Sequence, residues 1–477
     1  MPITAPITPH PFPNPLPLRK LLGPSFIILA LGLGSGEVIL WPYLSANYGL
    51  GIVWGAILGI TLQYFINMEI ERYALARGES VFVGIHRLWP RLTYWFIGST
   101  FLGFGLPGII SAAAHAITHV LGFGEPRWLA VVLLIGIGLI LSSGKTIYGV
   151  LERMTMTIIL IGVPFIFILA LVLSGPEIWQ SLLAGVAGYG PGYRWLPGGI
   201  SIATFLAAFA YSGAGGNLNL TQSIYIKEKG YGMGVHAQKI AGLFKGAGGH
   251  QHVKLTGHDF TLTEENLGKF KKWWHNIALE HALVFWLIGA LSMVLLMTLS
   301  YATAYGDAGN AQGINFVITE GIKIGLATMP LIGTLFLIVV GIMLFQTQLG
   351  VMDSTSRIMA ENAALIKLGH HREGLVNLSG MYFTFLWAQI AFGVTLFLLD
   401  ISEPRTLIVL GAVINAIAMF VHIGLVTLMN WHLLPKVLQP SIFRRSMVIV
   451  AFIFFGCFSA FVVWDNLLKH VVNQFLN

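Results

Sequence analysis

Eleven times along these 477 residues the sequence runs, nearly free of charge, for a length that matches the roughly 17–25 apolar residues needed to cross a hydrocarbon core. This repetition limits the fold more than any motif does. The runs lie at approximately 22–47, 51–71, 93–121, 127–143, 154–174, 199–225, 276–300, 327–352, 378–399, 405–434 and 446–468. Only 10% of the chain is charged and 56% is hydrophobic, whereas a water-soluble domain carries about 25% charged residues. In hydrocarbon every backbone N–H and C=O must be bonded internally, which leaves helices or closed barrels. Barrel strands read as short alternating segments, and the sequence contains no such series. The expectation is an all-α polytopic membrane protein of about 11 transmembrane helices.

The formal charge of +7 raises the question of a nucleic-acid partner, and placing the basic residues answers it. With the N-terminus on the cytoplasmic side, 22 of the 27 Lys and Arg fall on inside segments; Arg127, Arg194, Lys323, Arg405 and Lys469 fall outside. That asymmetry obeys the positive-inside rule, so the excess charge reads as topology and no nucleic acid is expected. The single cysteine, Cys457, excludes a disulfide framework or a multi-cysteine metal cluster. No cofactor is expected.

Four regions follow. Residues 1–20 hold seven prolines and read as an extended, disordered cytoplasmic tail; without a basic lead-in and cleavage site they are not a signal peptide. Residues 21–175 contain spans 1–5, residues 176–434 contain spans 6–10, and residues 435–477 contain span 11 and the C-terminus. A basic loop at 227–275 ends in the amphipathic stretch from Glu264 to Trp274, expected to lie as a helix on the inner membrane surface. The lipid bilayer is the constant partner, and a bacterial inner (plasma) membrane is the expected location.

Two spans break their own helices. Span 1 carries Gly32, Gly34 and Gly36 around Ser35 and Glu37; span 6 carries Gly213, Gly215 and Gly216 ahead of Asn217 and Asn219. Glycine inside a helix costs about 1 kcal/mol against alanine, and a freed backbone is tolerated in a membrane only where it meets protein or lines a cavity. Interrupted spans at corresponding positions of two five-helix halves mark the binding site of a secondary transporter. Glycines that merely let helices pack closely are the alternative, but packing needs neither Glu37 nor the two asparagines. The predicted fold is therefore an inverted five-plus-five repeat with helices 1 and 6 broken.

These segments resemble the Nramp family of divalent-metal transporters. The likeness is carried by Gly23-Pro24 and the break in span 1, Gln63-Tyr64 in span 2, Gly216-Asn217-Leu218-Asn219-Leu220 in span 6 and Phe345-Gln346-Thr347-Gln348 in span 8. The resemblance implies alternating access and a metal held between helices 1 and 6. It also shows departures. The family's Asp-Pro-Gly-Asn falls on Gly34-Ser35-Gly36-Glu37, and its Met-Pro-His-Asn falls on Ala214-Gly215-Gly216-Asn217; a second family histidine falls on Thr221. With the thioether lost, the remaining carboxylate and amide suit a cation harder than Fe²⁺.

The substrate-binding candidates are thus Gly34, Glu37, Ala214, Gly215, Gly216, Asn217, Thr221 and Gln222, with Glu37 and Asn217 as metal ligands. An ionisable group within a span costs roughly 2.5–3.5 kcal/mol on insertion scales and normally faces a cavity or a partner. One carboxylate is few for a dication, so a second reading stays open: the N–H groups at the half-helix ends take a small oxyanion such as bicarbonate, while Glu37 carries a proton or counter-ion. A channel through the same breaks is a further alternative. Pathway or coupling candidates, for a symport driven by protons or Na⁺, are Glu37, His115, His119, Gln346 and Asn415.

Other patterns carry less. His250, His252, His258 and Asp259 in the basic loop read as a capture site for metal or as flexible loop. Glu69, Glu71 and Arg72 read as an ion-paired gate or a solvated rim. Gly103-Phe104-Gly105-Leu106-Pro107-Gly108 matches a dinucleotide motif only formally, since no strand precedes it. With no H-E-x-x-H, G-x-S-x-G or Walker A sequence, enzyme activity is not expected.

Overall fold

The structure is a computed structural model that describes residues 9–21, 23–143, 147–239, 249–311, 314–371 and 373–464. It is a bundle of helices that correspond one for one to the eleven apolar runs. These are α1 (Pro24–Tyr48), α2 (Val53–Arg77), α3 (Leu92–Leu121), α4 (Pro126–Ser142) and α5 (Ile147–Leu173). The next is α6, whose halves are Ile202–Ala210 and Thr221–Lys229, followed by α7 (Glu264–Ala304) and α8 (Pro330–Leu368). Last come α9 (Leu378–Leu398), α10 (Pro404–Leu433) and α11 (Ile442–Val463). Eight, the interrupted α1 among them, are long and apolar enough to cross a membrane; α5 bends by 114° into Pro176–Val186, α4 is shorter, and α6 is split.

The burial of each helix reflects its place. The most apolar window of α1 is 94% buried, whereas that of α11 is 28% buried and presents Ile442, Phe443, Ile453 and Phe461 outward. A helix apolar on all sides belongs either inside the bundle or against lipid, and α1 and α11 take these two places. The chain is an integral membrane protein with the inverted-repeat helical fold in which helices 1 and 6 are broken. Lys145, Lys245, Arg372 and Lys469, the first eight residues of the tail and the end of the eleventh run lie outside the described residues.

Two expectations need correction. The proline-rich tail is docked from His10 onward. Phe12 is 1% exposed between Phe260 and Phe270, with ring centroids 4.6 and 5.7 Å away, and its N–H donates to Asn266 Oδ1 at 3.2 Å. An extended proline-rich chain leaves its carbonyls unbonded; here Pro13 O accepts from Trp273 Nε1 (3.1 Å) and Leu16 O from Asn276 Nδ2 (2.9 Å). For the same reason Glu264–Trp274 is no separate surface helix. It is the first part of α7, with Phe270 and Trp273 buried against the tail. The basic loop also contributes a strand, Gln251–Lys254, paired antiparallel with Glu373–Val376.

Candidate functional site

The break in α1 follows from its glycines. The first half ends at Gly32, and a wide π-type turn, Ser35–Leu40, leads into the second half, which begins at Trp41. The break frees carbonyls inside the bundle, where each must find a donor. Thr347 of α8 supplies one, its hydroxyl 3.2 Å from both Ala30 O and Leu33 O. In α6 the chain passes through Gly213, Gly215 and Gly216 with φ of 131°, 70° and 52°, a region L side chains avoid. Gln63 of α2 bonds across that break, donating to Ala210 O (3.1 Å) and Phe209 O (3.3 Å) and accepting from Gly215 N–H (3.4 Å). The two breaks touch: a methyl group on Gly32 would stand 2.7 Å from the carbonyl carbon of Gly213. Positive φ explains the α6 glycines, so close packing is not their only reason.

The sequence candidates separate into three groups. At the breaks themselves lie Gly34, Glu37, Ala214, Gly215, Gly216, Asn217 and Asn415, all buried. Glu37 is 0% exposed and neither carboxylate oxygen has a hydrogen-bond partner; Oε1 lies toward Gly289 of α7, near Ile60 and Leu29. Asn217 donates to Ser99 Oγ (2.8 Å) and Thr100 Oγ1 (2.9 Å) of α3, leaving its Oδ1 without a partner. Ser99 spends its own proton on Trp95 O (2.7 Å), which fixes the nitrogen of Asn217 as the atom facing it. Asn415 donates to Gly103 O and to Tyr211 Oη, both at 2.9 Å, and its unpartnered Oδ1 lies against Gly216. No hydrogen bond joins Glu37 to Asn217, because the carboxylate faces α7 and the amide faces α3.

The second group is engaged elsewhere. Thr221 gives its hydroxyl to Leu218 O at 2.5 Å, inside its own turn. Gln222 points away from the breaks and donates to Glu71 Oε1 at 2.6 Å. His115 bonds Ser111 O one turn back, and His119 is exposed, so the two rings do not form a relay in this structure. Gln346 is buried on α8 beside Thr347.

The third group lies at the basic face. Glu69 pairs with Arg72 at 2.7 Å and both are buried, so this end of α2 is no solvated rim. His250 lies 3.1 Å from Lys367 Nζ, and His252 is on the strand paired with Leu375. His258 packs edge-on against His10 and His236. Among the described residues no group of three His, Cys, Asp or Glu is spaced to hold a metal ion, which removes the loop histidines as a capture site.

Four residues at the breaks have roles that the sequence did not assign to them. Asn219 is fully buried with both amide atoms unpartnered, as is Gln348, while Thr347 and Gln63 close the freed backbone. Polar residues inside otherwise apolar runs were the available signal. A cavity of about 580 Å³ lies apart from all of these, between the second half of α1, the first half of α6, α10 and α11, with Tyr43 and Arg405 at its wall. It reaches the second half of α1 and the first half of α6 without touching Glu37 or Asn217.

No family model and no curated protein matches this sequence. Solved structures do. A mutant form of the manganese transporter of Eremococcus coleocola superposes with a TM-score of 0.69 at 12% identity, over 95% of this chain and 90% of that one. The same transporter in complex with an aromatic bis-isothiourea substituted compound gives 0.66 at 13% identity, over 95% and 89%. Mhp1, a nucleobase-cation-symport-1 family transporter in a closed conformation, gives 0.53 at 12%, over 95% of each chain. The chain has the fold of these membrane transporters. At such identity the likeness is one of architecture, and the chemistry must come from the residues at the breaks.

Proposed function

We propose that this chain is a secondary transporter that moves a small inorganic cation, a divalent metal ion harder than Fe²⁺, by alternating access between the two broken helices. One observation carries the choice of cation: the buried atoms left without partners around the breaks are chiefly oxygens, namely both of Glu37 and the Oδ1 atoms of Asn217, Asn219 and Asn415. The donor nitrogens of Asn217 and Asn415 are already bonded, and so is the N–H of Gly215. A buried acceptor without a donor is costly, and a hard cation is the ligand that satisfies several oxygens together. An oxyanion would need free donors instead, and among the described side chains at the breaks only Asn219 Nδ2 and Gln348 Nε2 are unpartnered donors, against six unpartnered oxygens once Gln348 Oε1 is included. The shared fold with a manganese transporter supports the reading.

A fixed cage is not required of a carrier, which must release its cargo on the other side. With Glu37 on one flank and the amides on the other, closure of the half-helices would bring the oxygens around the ion, and opening would separate them. The excess of Lys and Arg supports a reading in which the basic face, and with it the N-terminus, is cytoplasmic, and a bacterial plasma membrane is proposed as its location. Uptake of Mn²⁺, Mg²⁺, Ca²⁺ and bicarbonate into liposomes, with wild type and Glu37→Gln, tests the proposal. Saturable metal uptake that falls at least about tenfold in Glu37→Gln, the scale of one lost charged ligand interaction, is expected. Bicarbonate flux without metal flux, or single-channel currents, would overturn it.

A further inference from the structure

We infer that Glu71, Glu280 and His281 form a proton-binding site held closed by the first half of α1. Four helices meet there. Glu71 comes from α2, Gln222 from the second half of α6, Glu280 and His281 from α7, and Ser25 from the first turn of α1; all five are at most 4% exposed. Ser25 Oγ donates to Glu280 Oε2 at 2.5 Å and lies 2.8 Å from His281 Nδ1. Since Ser25 has a single hydroxyl proton, Nδ1 carries the imidazole proton and donates, with Glu71 Oε1 3.2 Å away. Gln222 Nε2 donates to that same oxygen at 2.6 Å. A continuous chain of polar atoms thus runs from Glu280 through Ser25 and His281 to Glu71.

Counting hydrogens shows what the chain lacks. Every proton in it is used, yet Glu71 Oε2, Glu280 Oε1 and His281 Nε2 are buried with no partner. With both carboxylates ionised and the imidazole neutral, the site holds two negative charges in the interior of the bundle. Buried charge is tolerated only when it is compensated. The surrounding elements compensate it incompletely. Arg444 of α11 stands over the Trp274 ring at 5.0 Å and within 3.9 Å of Glu69 Oε1, and Arg72 is committed to Glu69. Tyr64 and Phe285 stack on the His281 ring at 5.6 and 4.7 Å. The missing partner is a cation, and the described residues offer no three-ligand group for a metal ion. A proton needs only one of the orphaned acceptors. It arrives from water on one side and leaves to water on the other, and no other bond changes.

Ser25 makes the site conditional on conformation. It is the only residue of α1 in the chain of bonds, so swinging the first half of α1 away removes both its contacts and opens the carboxylates to water. A loaded site favours the docked helix; an emptied site, with two like charges, favours release. As a coupling site in a symport this rests on the transporter reading; as a proton site it does not.

The test therefore uses no cargo. The full chain carrying Cys457→Ser and Phe26→Cys, in lipid nanodiscs, is labelled with a soluble maleimide from pH 6 to pH 9, and rates are corrected for thiolate fraction against a denatured control. The corrected rate is expected to rise on the order of tenfold with pH, the change for one linked proton over one pH unit. Adding Glu71→Gln and Glu280→Gln, which keep the shape but stay neutral, should abolish that rise. If these variants fail to fold, Ser25→Ala in the same background should give fast labelling at both ends of the range. A rate independent of pH in the parent, a rise that survives the Gln substitutions, or a Ser25→Ala profile identical to the parent would overturn the proposal. Absent metal uptake in liposomes would sink the metal-transporter reading and leave this result standing.

Discussion

Gly36 lies so close to Tyr211 that a methyl group added to it would stand 1.7 Å from the Tyr211 carbonyl oxygen. The contact joins the wide turn of α1 to the end of the first half of α6, and the obstructing atom is backbone, which cannot rotate away as a side chain can. Gly36→Ala must therefore part the two breaks. Overpacking of this kind costs about 1–3 kcal/mol, and the upper end is expected here. Gly98, where an added methyl group would meet nothing within 4 Å, is the control. Thermal unfolding of the purified protein in detergent should show a lowered midpoint for Gly36→Ala and none for Gly98→Ala. Equal midpoints would mean that the breaks do not pack as described.

Thr347 tests a different property of the same junction, the satisfaction of freed carbonyls. Thr347→Val keeps the volume and removes the hydroxyl that reaches Ala30 O and Leu33 O. A buried acceptor left without its donor costs about 1–3 kcal/mol. Thr347→Ser keeps the hydroxyl and should retain most of the stability. The comparison of Val with Ser in the same unfolding assay separates the hydrogen bond from the packing.

The breaks were legible because their glycines adjoin polar residues, Ser35 and Glu37 in span 1 and Asn217 and Asn219 in span 6, and because charge is so sparse that Glu37 stood out. The spans were legible because a bilayer demands a minimum apolar length of each. The proton site was not legible, since Glu71, Glu280 and Ser25 lie on separate helices and each alone looks like the end of a span. Gln222 illustrates the same limit from the other side: its place in the sequence points to the α6 break, while the rotation of the half-helix turns it toward Glu71. The tail misled for a simpler reason. Proline-rich composition describes a chain without its own core, and here Phe12 borrows one from Phe260 and Phe270.

The docking of that tail should weaken in acid. His10 and His236 stack with centroids 4.6 Å apart, and His258 meets them edge-on at 4.7 and 6.0 Å. Burial, followed by Lys254 and the other two rings, pushes His258 down to about 4, and burial followed by His10 lowers His236. A base with a lowered value in the docked state takes up protons on release, so the docked state loses stability as pH falls from the free imidazole value near 6.5 toward 4. Trypsin cleavage at the exposed Arg19 and Lys20, scored against a second exposed site to correct for enzyme activity, should be faster at pH 5 than at pH 7.5. Replacing His236 and His258 by Gln should remove the difference. Cleavage that does not change with pH would show that the rings only pack.

On the proposed alternating-access cycle, closure at the basic face should depend on the buried ion pair of Lys227 and Glu361. Lys227, in the last turn of α6, places Nζ 3.8 Å from Glu361 Oε1 of α8, and both side chains are buried; Ser80 donates to the same carboxylate oxygen at 2.5 Å. Removing one partner of a buried pair costs about 3–5 kcal/mol, because the other charge is left stranded. The cost falls on the state in which the pair is dry. When α6 and α8 part and water enters, the stranded charge is solvated and the penalty largely disappears. Lys227→Met should therefore shift the equilibrium toward the state open at this face, since a difference of about 5.5 kcal/mol carries a two-state population from 1:99 to 99:1. Cysteines introduced singly along the second half of α6 in a Cys457→Ser background should label faster with a membrane-impermeant maleimide. Exchanging the charges, Lys227→Glu with Glu361→Lys, keeps the pair and should restore slow labelling. Labelling that stays slow in Lys227→Met would mean that the pair does not hold this face closed, and fast labelling in the exchanged protein would assign the effect to shape instead of charge.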